Sequence, residues 1–167
     1  MGEDVRRIES PGDAPTLRAV APEDAGFQFA LFCARRGGPL RLAGIPAPVI
    51  ESLMCVQFRA RALSYGQAHP GARWWIVESS GAPVGELVLD ARADRLHIVD
   101  ITLAPERQRR GLGPAVLRAV MDELVPPAEV SALIDIGNAP SRRMFTRLGF
   151  VQRAYDDAHV EALWRKQ

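Results

Sequence analysis

The sequence predicts an α/β domain: one mixed, mostly antiparallel sheet of about seven strands, with helices on both faces. Three observations carry that expectation. The hydrophobic period changes from helical to two-residue alternation after about residue 70. Three alternating stretches joined by short turns then read as an antiparallel meander. The passage from Leu96 to Ile136 runs strand, helix, strand, which implies a parallel crossover.

Each element follows from local chemistry. Residues 1–15 are polar with two prolines and are expected to form a flexible lead-in to a single domain, 16–167. "TLRAV" (Thr16–Val20) alternates and reads as a strand. "APEDAGFQFALFCARR" reads as a helix, with Pro22 in its first turn and Glu23 and Asp24 at its positive end. Gly37 and Gly38 are expected to stop it, leaving Gly37–Pro48 as a loop. A long helix is expected from about Val49 to Gln67, with Ile50, Leu53, Met54, Gln57, Phe58 and Arg61 on one face and Met54, Phe58 and Leu63 apolar. "RWWIVES", "VGELVLD" and "LHIVDITL" form the meander. A helix from about Gly111 to Val125, stopped by Pro126 and Pro127, leads to the strand "VSALIDI". "NAPSRRMFTRLGF" reads as a helix capped by Asn138, with Gly149 just past its end. "FVQRAY" and "VEALW" close the chain as strands.

Composition narrows the partners. The chain has 167 residues, 47% of them hydrophobic and 25% charged, which suits one globular domain. A net charge of +1 gives no field to recruit nucleic acid or a membrane surface. Cys33 and Cys55 lie in apolar helical patterns, which suits buried thiols better than a disulfide framework. No apolar run approaches a membrane span and the N-terminus has no signal-peptide core, so a cytoplasmic protein is expected. No His, Cys or acidic cluster has metal-ligand spacing.

One turn points to chemistry. "PERQRRGLGPAVL" (Pro105–Leu117) leaves the end of a central strand and enters a helix. Glycines there let a ligand approach the backbone, and the first helical turn presents N–H groups and a positive dipole end. Phosphate held by backbone amides, helped by Arg109 or Arg110, fits this turn; so does plain tight packing of strand on helix. It is not a Walker loop, because no lysine follows the glycines, nor a dinucleotide fingerprint, because Val116 stands where a third glycine or alanine belongs.

The segment Gln108-Arg109-Arg110-Gly111-Leu112-Gly113 resembles the Q/R-x-x-G-x-G/A signature of the GNAT superfamily of acetyl-CoA-dependent N-acetyltransferases. "ITLAP" before it is similar to the strand end of that family. "NAPSRRMFTRLGF" (Asn138–Phe150) resembles the family's N-x-x-A-x-x-x-Y-x-x-x-G-F segment. The resemblance covers roughly residues 16–165. It implies a sheet splayed between the fourth and fifth strands. It implies that the amides of Arg109–Gly113 hold the pyrophosphate of acetyl-CoA, and that the main chain of Ile101, Thr102 and Leu103 pairs with the pantetheine arm. Asn138, Ser141 and Phe145 would line the other wall, although a plain helix cap serves Asn138 equally well.

Two departures from the family pattern stand out. Pro114 removes one possible phosphate donor. Phe145 falls where relatives often carry a tyrosine that protonates the leaving thiolate, and a phenyl ring cannot. A thiol of pKa about 8.5 leaves tolerably without that help, whereas an amine of pKa about 10.4 must first lose a proton, at a cost of about 4.6 kcal/mol at pH 7. A general base therefore matters more. His97, on the strand into the turn, is one candidate, against a plain strand histidine. Asp100, a carboxylate amid "IVDIT", is the other, against a structural hydrogen bond. Tyr65 and Gln57 could reach the acceptor. The implied reaction is direct transfer to a primary amine of a small molecule or peptide in a ternary complex, by a monomer or homodimer. The rival reading is a non-catalytic acyl-CoA-binding module.

Overall fold

The computed structural model describes residues 15–123 and 129–166. The expected lead-in, residues 1–14, and the stop at Pro126 and Pro127 lie outside them. The elements are β1 (Thr16–Ala19), α1 (Ala25–Leu42), α2 (Ala47–Ala68), β2 (Ala72–Ser79), β3 (Ala82–Ala91), β4 (Arg95–Leu103), α3 (Leu112–Glu123), β5 (Glu129–Asp135), α4 (Ala139–Arg147), β6 (Val151–Ala154) and β7 (His159–Arg165). They form one seven-stranded sheet in the order β1-β2-β3-β4-β5-β7-β6. Among these pairs only β4–β5 is parallel.

The two faces of the sheet differ. On one, Leu87, Leu89, Leu96, Ile98, Val130, Ala132 and Ile134 meet Val116, Leu117 and Val120 of α3 and Phe145 of α4 in a continuous apolar core. α1 and α2 cover the other face. They hold a smaller apolar cluster between themselves, centred on Phe32, Ile50 and Met54. What they present to the sheet is largely polar.

Local chemistry explains the connections. Ser80 and Gly81 both have positive φ, 51° and 75°, and join Ser79 to its partner Ala82 in the two-residue turn that suits the twist of a hairpin. α4 starts at Asn138, whose side chain accepts from the Ser141 amide at 3.2 Å. It ends in a paired stop: the Phe150 amide donates to Phe145 O, and the Gly149 amide to Thr146 O. Gly149 supplies the positive φ of 88° that this motif needs.

Two expectations about the helices are corrected. Gly37 and Gly38 do not stop α1, which runs through Pro39 to Leu42. The Arg41 guanidinium lies across Gly37 where a Cβ would collide at 2.8 Å, and Leu40 packs against the α1–α2 cluster. That burial offsets the poor propensity of the segment. The stop is Gly44, at φ 73°, so the connection is short and not the loop Gly37–Pro48. On α2, Leu53 and Leu63 face outward, 37% and 69% exposed, while Ile50 and Met54 are buried.

Candidate active site

The sheet opens where the sequence turns from strand to glycine loop. β4 and β5 pair only through Arg95–Ile98 and Glu129–Ala132. Past Ile98, β4 runs on to Leu103 with β3 on one side and, among the described residues, no strand on the other. The cause lies in the register. Val88 faces Asp100 and Leu89 faces Ile98, so Val99 is an extra residue in β4. A bulge bends its strand and adds local twist. It also changes which face the following side chains occupy. Strict alternation from Leu96 would put Asp100 beside Ile98 on the apolar face. After the bulge, Ile101 and Leu103 pack on that face, and Asp100 and Thr102 point to α1 and α2.

The turn after β4 is shaped to leave amides free. Gln108 donates its side-chain amide to Leu103 O at 2.9 Å, folding the loop back on the strand end. Arg109 and Gly111 then adopt positive φ, 59° and 80°. Among the described residues no acceptor faces the backbone N–H of Arg109, Arg110, Gly111, Leu112 or Gly113; the Ala115 amide is the first to be used, by Gly111 O. Successive free amides at a helix start form an anion nest. The two glycines serve different ends. Gly111 provides the turn. Gly113 is buried, and a Cβ there would meet Met144 Sδ at 2.9 Å, so it lets α4 approach α3.

Across the sheet from α3 lies a layer of paired charges. Glu86, 1% exposed, receives Arg61 Nη1 at 2.5 Å and Gln28 Nε2 at 3.1 Å. Arg61 is enclosed by aromatic rings, its guanidinium carbon 4.8 Å from the centre of Trp74, 5.2 Å from Phe58, 5.3 Å from Phe32 and 5.9 Å from Tyr65. Asp100 accepts from Arg35 Nη1 at 3.1 and 3.2 Å and from the Tyr65 hydroxyl at 3.4 Å. Arg61 stands 3.9 Å away. Arg35 also donates to Thr102 Oγ1 at 2.9 Å. Burial and the Asp100 charge push the Tyr65 phenol up to about 12, so it remains a donor at any physiological pH.

A splayed strand edge leading into a nest of amides is the arrangement that the two motifs implied. The sequence model of the Acetyltransferase (GNAT) family matches residues 50–150. This chain belongs to the GNAT acetyltransferase family.

Solved structures agree on the fold. An acetyltransferase from Thermus thermophilus is similar over 96% of this chain and 100% of its own, with a TM-score of 0.67 and 19% identity. The PaiA N-acetyltransferase from Thermoplasma acidophilum, solved with coenzyme A, covers 92% and 99%, at a TM-score of 0.63 and 17% identity. RimL, a ribosomal L7/L12 α-N-protein acetyltransferase also solved with coenzyme A, covers 92% and 95%, at 0.64 and 14%. This GNAT protein is thus an acyltransferase, and acetyl-CoA is the co-substrate of its family.

The remaining expected site residues of the acetyltransferase divide by surroundings. Asn138 caps α4 through its carbonyl oxygen, and Ser141 lies one turn in, half-buried. Phe145 is 2% exposed. It packs edge-on against Phe150, with centroids 4.9 Å apart, as the apolar contact of the helix stop.

His97 lies in the paired part of β4, opposite Ser131. Its Nδ1 is 2.9 Å from Ser131 Oγ, and its ring stacks on His69 at 5.1 Å. Burial first, and the neighbouring His69 second, push its pKa down to about 4. It is a neutral group tucked behind the opening. Tyr65 reaches the sheet, where its hydroxyl donates to Asp100. Arg35, Arg61 and Glu86 were not singled out by sequence reasoning. The available signal was polar residues in apolar company: Glu86 within "VGELVLD" and Arg61 on the inner face of α2.

Proposed function

We propose that this acetyltransferase moves an acetyl group from acetyl-CoA to a primary amine of a small molecule or peptide, by direct attack in a ternary complex. The observation that carries the reading is the run of free amides at Arg109–Gly113, placed at the end of an unpaired β4 edge. These amides would hold the pyrophosphate, with Arg109 and Arg110 adding charge. Pro114 lacks an N–H, but the five amides before it supply the nest. The edge from Ile101 to Leu103 would pair with the pantetheine arm through its main chain. Asn138 and Ser141 form the facing wall.

Bound acetyl-CoA supplies the acetyl group as a thioester. The chain's part is to orient and polarise. Main-chain N–H groups near Leu103 face the opening and would draw charge onto the carbonyl oxygen. Asp100 is the better-placed base, because it lies beyond the bulge where the sheet is open. His97 lies before it, in the paired part of β4 and against Ser131. Tyr65 donates to Asp100 and Arg35 clamps it, which fixes the carboxylate in position.

Coenzyme A release measured with a panel of primary amines tests this. Turnover with at least one amine is expected. The rival, an acyl-CoA-binding module without chemistry, is favoured by Phe145. It predicts cofactor binding and no release with any amine, with activity gained in Phe145→Tyr.

A further inference from the structure

Glu86 is a buried charge in an apolar strand. It lies within "VGELVLD" of β3, and its neighbours Leu87, Val88 and Leu89 are buried with it. A buried ion pair is often no more stable than apolar residues of the same volume, so stability alone gives little reason for one here. Its place in the sheet points elsewhere. Glu86 stands opposite Thr102, and Val88, two residues on, stands opposite Asp100. Cross-strand partners share a face, which makes Glu86 and Asp100 diagonal neighbours beneath α1 and α2.

One guanidinium joins the two carboxylates. Arg61 Nη1 is 2.5 Å from Glu86 Oε1 and 3.9 Å from Asp100 Oδ2. Gln28 donates to Glu86 as well, without adding charge. Among the described residues, the charged and titratable groups around Asp100 are Arg35 from α1, Arg61 and Tyr65 from α2, and Glu86 from β3. Further along the sheet, His97 stacks on His69, and Asp90 is held by His69 and Arg92. Two guanidinium groups thus meet two carboxylates. The side chains of Asp100, Arg61 and Glu86 are at most 10% exposed, so water screens their charges weakly. With Glu86 absent, two positive charges would face one carboxylate and hold it as an anion that gives up its charge reluctantly.

We propose that Glu86 is a positioning residue for acetyl transfer: by pairing with Arg61 it offsets one of the two positive charges on Asp100 and keeps that carboxylate basic enough to take the proton of the acceptor amine. This rests on the reading of Asp100 as the base.

Glu86→Gln removes the charge and keeps the shape. Two readouts are compared with wild type. One is the titration midpoint of the Asp100 carboxyl, followed by carbon-13 NMR of aspartate-labelled protein and assigned with Asp100→Asn. The other is coenzyme A release across pH, with the amine of the panel that turns over fastest. The midpoint should fall by about one pH unit or more, the scale of one unopposed charge nearby. Turnover at neutral pH should fall about threefold or more, as for a weaker base, and the lower break of the pH profile should move down with the midpoint. An unmoved midpoint overturns the proposal. So does a loss of turnover that is equal at every pH, which is what a purely structural role gives. Should Glu86→Gln not fold, Arg35→Gln carries the test, because that side chain is 44% exposed. Asp100 then faces Arg61 and Glu86 without Arg35. If Glu86 offsets Arg61, the midpoint rises above the ordinary aspartate value of about 3.9. If it stays below, Arg61 acts unopposed and the proposal fails. Full turnover in Asp100→Asn sinks the base reading and the proposal with it, whereas an inactive Asp100→Asn beside an unchanged Glu86→Gln sinks the proposal alone.

Discussion

The two faces of the sheet are built on opposite principles. Toward α3 and α4 the contacts are apolar and non-directional, and the polar work is left to the backbone: a bulge, an open strand edge and a run of free amides. Toward α1 and α2 the contacts are ion pairs and hydrogen bonds between side chains 25 to 67 residues apart, such as Arg61–Glu86 and Arg35–Thr102. The first face tolerates substitution that keeps shape. The second is over-determined, because removing one partner strands a buried charge.

The largest expected effect comes from breaking that second face. Arg61→Ala leaves the Glu86 carboxylate buried with, among the described residues, only Gln28 as partner. Loss of a buried pair by one partner costs about 3–5 kcal/mol. Denaturant unfolding should show a loss of that order. On the apolar face, Val116→Ala, a buried side chain on α3, should cost less, because it removes only packing.

Next comes the carboxylate at the opening. Asp100→Asn keeps the shape but not the charge. If Asp100 takes the amine proton, turnover at neutral pH should fall by about 10²–10⁴-fold, and the loss should shrink as pH approaches the amine's own pKa. A loss of activity that is independent of pH would assign Asp100 to holding Arg35 and Arg61 instead.

These two regions were not equally readable. The order of elements, the α4 cap and the turn at Gly111 follow from local patterns, and those patterns survive in the fold. The α1 stop at Gly37 did not, because Arg41 and Leu40 find tertiary contacts that outweigh glycine and proline propensity. The polar layer was harder still. Alternation in "LHIVDITL" cannot reveal a bulge at Val99, so it gives no account of why Asp100 and Thr102 share a face with His97. Nor does a single sequence show that Arg61 finds Glu86 across 25 residues.

A smaller effect concerns the other candidate base. The pKa of His97 is about 4 in the folded protein, against an ordinary value of 6.5. The unfolded chain therefore binds more protons between those values. His97 contributes stability that is complete above pH 6.5 and is lost as pH falls toward 4. Urea unfolding across pH 4–7 should show a steeper acid loss in the wild type than in His97→Gln. A His97→Gln variant with low turnover at neutral pH but an unchanged acid slope would restore His97 as the base.

The central claim is that the free amides of Arg109–Gly113 form the cofactor cradle. Isothermal titration with acetyl-CoA, comparing wild type with Gly111→Val, tests it most directly. Gly111 has φ 80° and open space around its missing Cβ, so valine there disturbs the turn without a clash in the core. The account predicts clear binding by the wild type, with affinity lost in the variant while its far-ultraviolet circular dichroism is unchanged. Wild-type protein that fails to bind millimolar acetyl-CoA, or a Gly111→Val variant that binds as tightly, would contradict it.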